Sequence, residues 1–507
     1  MKKILFTAIL ACTLLSCNKS ELKIEISETP VSHNFMGNGV EWSAYPHGDS
    51  PDAEWGYMMT DDKLETVYKR LDFMKPRIVR LMDVAGWRYF KGVDKQGQPM
   101  IDFDCAEVKM VCKLLDYCQK NNIYVLIGDY GVPGFWGYPG KIDRADDPRY
   151  VDMTVKYLNY LVKEKGYSCI KSYIIINEPN GDWASTKGDW EQWKSGVLMF
   201  VNAFKQAGLD IEISAPDVVE MADKQSALYT GREWVEMSVQ QMDSVIGHYN
   251  IHCYADAYFV REGRFQTHYQ EVADIIKPTG KRMIFGEIGV LYKTGELGKE
   301  YEKRVAETPF ASEDSQLFNH DYRYGIDATD ALIQSMKVGF HGASAWMLDD
   351  AMHTKDDLGA KDQLKVWGFW NSLGTELTGD PKEDEIRPWF FTWSLMCRYF
   401  TPGMNVYNET DTTKLSGLRI VAGKGAEGTT IAILNASESE YEFDLKMNVS
   451  GDKDFKIYDY QQSGYKVDEN SFPVSNSNTT SDNILGGTEK VKMLPRSFKL
   501  FTNIKIN

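Results

Sequence analysis

The sequence lacks most of the markers by which a chain declares its chemistry. Its eight cysteines contain no Cys-x-x-Cys pair, so they do not form a metal-binding set of the usual spacing. No Gly-x-Ser-x-Gly elbow is present, and His248, His252 and His341 do not make a ligand set for zinc. A serine-based or metal-based hydrolase of esters or amides is therefore unsupported. Positive charge is in deficit: 57 Lys and Arg face 73 Asp and Glu, for a net charge of −16. That balance argues against nucleic acid or anionic lipid as a partner and fits a neutral ligand. Beyond residue 15 no apolar run is long enough to cross a bilayer. There is no internal repeat.

What is present begins with a leader. Lys2 and Lys3 precede an apolar stretch from Ile4 to Leu15, too short for a stable membrane span. The stretch ends in Leu14-Leu15-Ser16-Cys17, which resembles a bacterial lipobox. The resemblance implies cleavage before Cys17, a diacylglycerol on its thiol and an exported protein anchored in the outer membrane, facing either side. The lipid would be the protein's only membrane contact. Of the later cysteines, Cys105 and Cys112 are spaced for one helical face, which suggests burial as small apolar residues.

From 36 to 400, short apolar runs alternate with amphipathic stretches. The candidate strands are Gly39 to Trp42, Ile78 to Leu81, Tyr124 to Ile127, a run ending at Glu178, Ile211 to Ala215, part of Val245 to His252, a run ending at Glu287, and Ala343 to Trp346. Asp62 to Met74, Val108 to Cys118 and Val151 to Val162 read as helices between them. This alternation predicts an α/β fold, a (β/α)₈ TIM barrel, with long loops after its first, seventh and eighth strands. From 401 to 507 the pattern changes to short alternating runs such as Thr430 to Leu434, Tyr441 to Leu445 and Phe498 to Phe501, which predict a C-terminal β-sandwich. Ser475 to Asp482 reads as a polar, turn-rich connection. Residues 1–17 form the leader. Within 18–35, Leu22 to Ile26 alternates in the same way and is positioned to add a strand to the sandwich.

Two glutamates stand at the ends of apolar runs: Glu178 in Ile-Ile-Ile-Asn-Glu-Pro and Glu287 in Met-Ile-Phe-Gly-Glu. Barrel enzymes keep their chemistry at the C-terminal tips of strands. Two carboxyls facing each other across the mouth, roughly 5 Å apart, can cleave a glycoside with retention: one protonates the leaving oxygen, the other attacks the anomeric carbon. Each alone has a plainer reading, since a glutamate before proline often ends a strand and strand-end acids also cap helices. Burial and the negative charge of Glu287 would keep Glu178 protonated. No cofactor and no metal is called for.

The Asn177-Glu178-Pro179 tripeptide, with Glu287 on the seventh strand, resembles the retaining (β/α)₈ glycoside hydrolases of clan A, such as families 30, 5 and 39. The segments Arg387 to Phe391 and Arg398 to Gly403 resemble the barrel-to-sandwich passage of family 30. The resemblance implies Glu178 as acid/base and Glu287 as nucleophile. It implies that substrate is bound by Asn177 at the sugar 2-hydroxyl, by Arg80, His252 and Tyr254 near the nucleophile, and by Trp346 as the floor of the sugar subsite. Trp42, Trp87, Trp136 and Trp183 follow the first four strands, where aromatic faces can stack on sugar rings or pack within loops. The glycine-rich loop 131–140 should border the cleft. Asp349 and Asp350, also near the mouth, could bind a substrate hydroxyl, but solvation is the expected reading. The expected function is hydrolysis of β-linked oligo- or polysaccharide; the alternative is a lipoprotein that binds glycan on the same scaffold without cleaving it.

Overall fold

A computed structural model describes residues 22–45, 59–222, 228–352, 364–410, 415–449, 451–486 and 489–506. The expected leader and Cys17 lie outside them.

Eight parallel strands close into a barrel: β1 (Gly39–Glu41), β2 (Ile78–Asp83), β3 (Tyr124–Asp129), β4 (Ile170–Ile174), β5 (Glu212–Val219), β6 (Ile246–Asp256), β7 (Met283–Leu291) and β8 (Ala343–Ala345), in sequence order, with β8 back against β1. The expected (β/α)₈ barrel is therefore present, and each expected strand lies on an observed one or ends beside it. The three helices that the periodicity marks are present among others, with their ends set by local chemistry. Helix α1 (Asp61–Met74) starts where the Thr60 side chain accepts from the Lys63 N–H, and it buries Leu64, Val67, Leu71 and Met74 against the barrel. Helix α2 spans Ala106–Lys120. Helix α3 (Pro148–Asn159) has Asp147 as its cap and proline in its first turn, where a missing N–H costs nothing.

Two strand ends differ from expectation in ways that shape the site. The β4 ladder stops at Ile174, although Ile175 and Ile176 remain buried; the apolar run continues because it is covered, not because it is paired. Asn177 and Glu178 then project from a turn in which Glu178 has φ 47°. Strand β5 runs on past Ala215 to Val219 and carries Asp217 inward.

The C-terminal region is two facing sheets. The larger takes the order β9 (Asn405–Asn408), β10 (Leu418–Gly425), β11 (Gly428–Asn435), β17 (Ser497–Thr502), β13 (Asp454–Gln461) and β14 (Gly464–Tyr465), with β15 (Ser477–Thr480) also on β13. The smaller sets β12 (Tyr441–Lys446) between β16 (Val491–Met493) and the N-terminal strand Lys23–Glu25. The last pairs in parallel, Lys23 opposite Asp444, so the N-terminal segment does join the sandwich. Ile24, Ile420, Ile433, Leu445 and Phe501 fill the space between the sheets. Residues 475–482 are not a plain connection: β15 is a strand of polar residues, held by its ladder to β13 rather than by apolar burial.

Candidate active site

Register brings the site together. Glu41 on β1 stands beside Arg80 on β2, and His252 on β6 beside Glu287 on β7. Arg80 is fully buried at the centre. Its Nη1 donates to Glu41 Oε2 and to Glu287 Oε1, each at 2.5 Å; its Nη2 donates to Asn177 Oδ1 at 2.5 Å and to Asp217 Oδ2 at 3.1 Å. The second oxygen of Glu287 accepts from the Tyr254 hydroxyl, and Glu41 accepts from the Tyr130 hydroxyl. Arg80 therefore does not pair with Asp83, whose partner is Arg88 at 2.6 Å.

His252 lies between the two candidate catalytic carboxylates. Its Nδ1 is 2.9 Å from Glu178 Oε1 and 3.6 Å from Glu287 Oε2, and its Nε2 is 3.0 Å from Asp217 Oδ1. Asn250 Nδ2 also donates to Asp217 Oδ1, at 2.6 Å. Gly286 makes room for that amide: a Cβ there would come within 2.2 Å of Asn250 Oδ1. The remaining oxygen of Glu178, Oε2, accepts from the indole of Trp183 at 2.8 Å. One carboxylate oxygen each of Glu178 and Glu287 lie within 4.8 Å of one another.

The electrostatics follow from dense burial of charge. Burial opposes the charge on His252, but the carboxylates of Asp217 and Glu287 outweigh it and push its pKa up to about 10. Asp217 goes the other way: burial would raise it, and His252 and Arg80 hold it below the usual range. Glu287 is raised to about 7 by burial, with Glu41 and Glu178 adding, against the pull of His252 and Arg80. Arg80 and Tyr254 thus do not by themselves keep Glu287 as acidic as a solvated glutamate, because desolvation outweighs them.

Above the carboxylates opens a cleft of about 610 Å³, lined by Asn177, Glu178, Glu287, Tyr130, Tyr254 and an aromatic wall. Trp136, Trp183, Trp346, Phe135 and Trp367 belong to that wall. Trp183 is half exposed, Trp346 nearly buried, and the Trp136 ring stands 5.2 Å from Trp87 behind it. Three expectations are corrected. Trp42 is fully buried, edge-on to Tyr68 of α1 and Tyr117 of α2, so it packs between barrel and helices and offers no sugar platform. Arg80 and His252 reach no sugar either; both are fully buried behind the carboxylates they hold. Asp349 and Asp350 are buried, not solvated: Tyr45, Trp370 and Ser372 donate to the first, and Arg387 to the second at 2.5 Å.

Glu41, Asp217, Asn250, Tyr130 and Trp367 were not foreseen. Glu41 closes an apolar run as Glu287 does, so the same rule would have found it. Among the described residues, the group nearest to a metal-ligand set is Glu178, His252 and Glu287.

No protein-family model and no curated protein sequence matches the chain. Solved structures do. A conserved exported protein from Bacteroides fragilis aligns with a TM-score of 0.65 at 12% identity, over 94% of this chain and 99% of that one. A family 51 α-L-arabinofuranosidase from Bifidobacterium longum gives 0.60 at 12% identity, over 95% and 99%. A family 30 endoxylanase from Clostridium papyrosolvens C71 gives 0.57 at 12% identity, over 96% and 100%. At these identities the likeness is one of fold: the chain has the barrel-plus-sandwich fold of glycoside hydrolases.

Proposed function

We propose that this protein is a retaining glycoside hydrolase that cleaves β-linked oligo- or polysaccharide by double displacement. The observation that carries this reading is that one carboxylate oxygen of Glu178 comes within 4.8 Å of one of Glu287 at the floor of an aromatic cleft. A retaining pair sits roughly 5 Å apart; an inverting pair needs roughly 6.5–9.5 Å to admit a water. Glu287, fixed by Arg80 and Tyr254, attacks the anomeric carbon. The bond to the leaving oxygen breaks, and that oxygen takes its proton from Glu178. A water entering on the same face then gives a proton back to Glu178 and displaces Glu287. For Glu178 to serve as the acid, one of its two present donors must yield, and the exposed Trp183 indole is the one the leaving group can displace.

The test is hydrolysis of a panel of β-linked glucans, galactans, xylans and mannans, with arabinofuranosides added, following the anomer of the first product by NMR. A β-configured first product from a β-linked substrate is expected. An α-configured one would exclude a retaining mechanism, and binding without cleavage of any substrate would favour the glycan-binding alternative.

The pH dependence has a definite sign. Only ionised Glu287 can attack, and its protonated form accumulates below its pKa. With that pKa raised to about 7, kcat/KM, which reports the free enzyme, is expected to fall about tenfold per unit as pH drops below about 7. A profile flat down to pH 5 would contradict this.

The lipoprotein reading of Cys17 belongs to the same proposal. Among the described residues no helix is long and apolar enough to cross a membrane. Comparing the membrane fraction of wild type and Cys17→Ser tests the anchor; equal partition would remove it.

A further inference from the structure

Asp217 touches more of the site than any residue except Arg80, yet it stands too deep to meet a substrate, at 1% exposure. Its Oδ1 accepts from His252 and Asn250, and its Oδ2 accepts from Arg80. Its backbone carbonyl accepts the N–H of Glu178 at 3.0 Å. It does so from a left-handed backbone, φ 61°, which a non-glycine residue adopts only under constraint. One side chain and one carbonyl thus hold the partner of the acid/base, the partner of the nucleophile, and the backbone of the acid/base itself.

We infer that Asp217 is a positioning residue that fixes His252 as a standing imidazolium between Glu178 and Glu287 and seats Arg80 against the nucleophile. This rests on the catalytic assignment above and extends it. The protonation argument is geometric. Asp217 accepts from Arg80 and Asn250 as well as meeting His252 Nε2, so it is a carboxylate that only accepts, and Glu178, with its acid proton on Oε2 toward the cleft, turns Oε1 to His252 Nδ1 as an acceptor; both ring nitrogens then donate, which is the cation. The charged groups that face the ring are Asp217 from β5, Glu178 from beyond β4 and Glu287 from β7, with Arg80 of β2 and Glu41 of β1 behind them. Carboxylates outnumber cations around the ring, and the raised pKa of His252 agrees with that balance. In catalysis the standing cation does two things. It keeps a positive charge 3.6 Å from Glu287, opposing its protonation. It also gives Glu178 a fixed donor on Oε1, which leaves Oε2 as the oxygen that faces the leaving group.

The test needs no substrate, so its failure is distinct from failure of the glycosidase reading. In protein labelled with ¹⁵N-histidine, the His252 signals, assigned by their loss in His252→Gln, are expected to show an imidazolium at pH 8. In Asp217→Asn, a near-isosteric change, the ring is expected to lose its proton about two pH units lower than in wild type. A neutral ring at pH 8 in wild type overturns the inference, and so does an unchanged titration in Asp217→Asn. Should that variant not fold, the wild-type titration decides. A merely structural Asp217 would alter stability while leaving the titration of His252 where it was.

Discussion

Glu287→Gly is expected to lower kcat/KM by roughly 10⁴–10⁶-fold, the scale on which losing a covalent nucleophile is felt, and added azide is expected to restore turnover of an activated glycoside. The glycine leaves a space beside Arg80 and Tyr254, the two donors that now bind the carboxylate. An azide ion seated there attacks the anomeric carbon directly and expels the leaving group, so the product is a glycosyl azide of inverted configuration. Glu178→Ala should behave differently. The loss is about 10²–10⁴-fold for ordinary leaving groups, which need the proton, and much smaller for a dinitrophenyl leaving group, which does not. Azide then intercepts the glycosyl-enzyme and yields the azide of retained configuration. The two product anomers, read by NMR, assign the roles separately. Identical azide products from both variants, or no azide product from either, would sink the assignment.

Arg80→Met is expected to destabilise the protein by about 3–5 kcal/mol at pH 8, as well as abolishing activity, because it strands buried carboxylates around an apolar side chain. Glu41, Asp217 and Glu287 all lose the cation they share, and none has solvent to turn to. The sign of the pH dependence follows. With the guanidinium gone, Asp217 and Glu287 lose a cation that lowers their pKa values in the folded state, so the penalty shrinks as pH falls and they take up protons. Denaturant titrations of wild type and Arg80→Met at pH 8 and pH 5 measure this. A variant as stable as wild type at pH 8, or one more destabilised at pH 5, would show that Arg80 does not neutralise this cluster.

The barrel was legible because its strands are buried on both sides and therefore read as apolar runs bounded by polar punctuation. The catalytic candidates were legible for a related reason: a carboxylate closing such a run is conspicuous. Trp42 was misread although the rule that places it is elementary. Successive strand residues face opposite ways, so with Glu41 turned into the barrel, Trp42 turns out toward Tyr68 and Tyr117. Asp217 was harder to see. It lies two residues beyond Ile211 to Ala215, and it reaches the site through a left-handed residue at a register shift within β5 that no periodicity encodes. The burial of Asp349 and Asp350 depends on Trp370, Ser372 and Arg387, some 20 to 40 residues away in sequence, and partners at that separation leave no local pattern. The polar strand β15 shows the converse failure: its ladder to β13 holds it rather than apolar burial, and composition is silent about that.

The strand Lys23–Glu25, clamped beside β12, has a consequence for where the protein can stand. A lipid on Cys17 would leave only residues 18–22 between the acyl group and a rigid sheet, a leash whose full stretch is roughly 20 Å. That is shorter than the protein is wide, so the body could not roam far from the bilayer. The sandwich would sit at the headgroups like a foot, and any polysaccharide would have to be brought to the membrane surface to be met by the cleft.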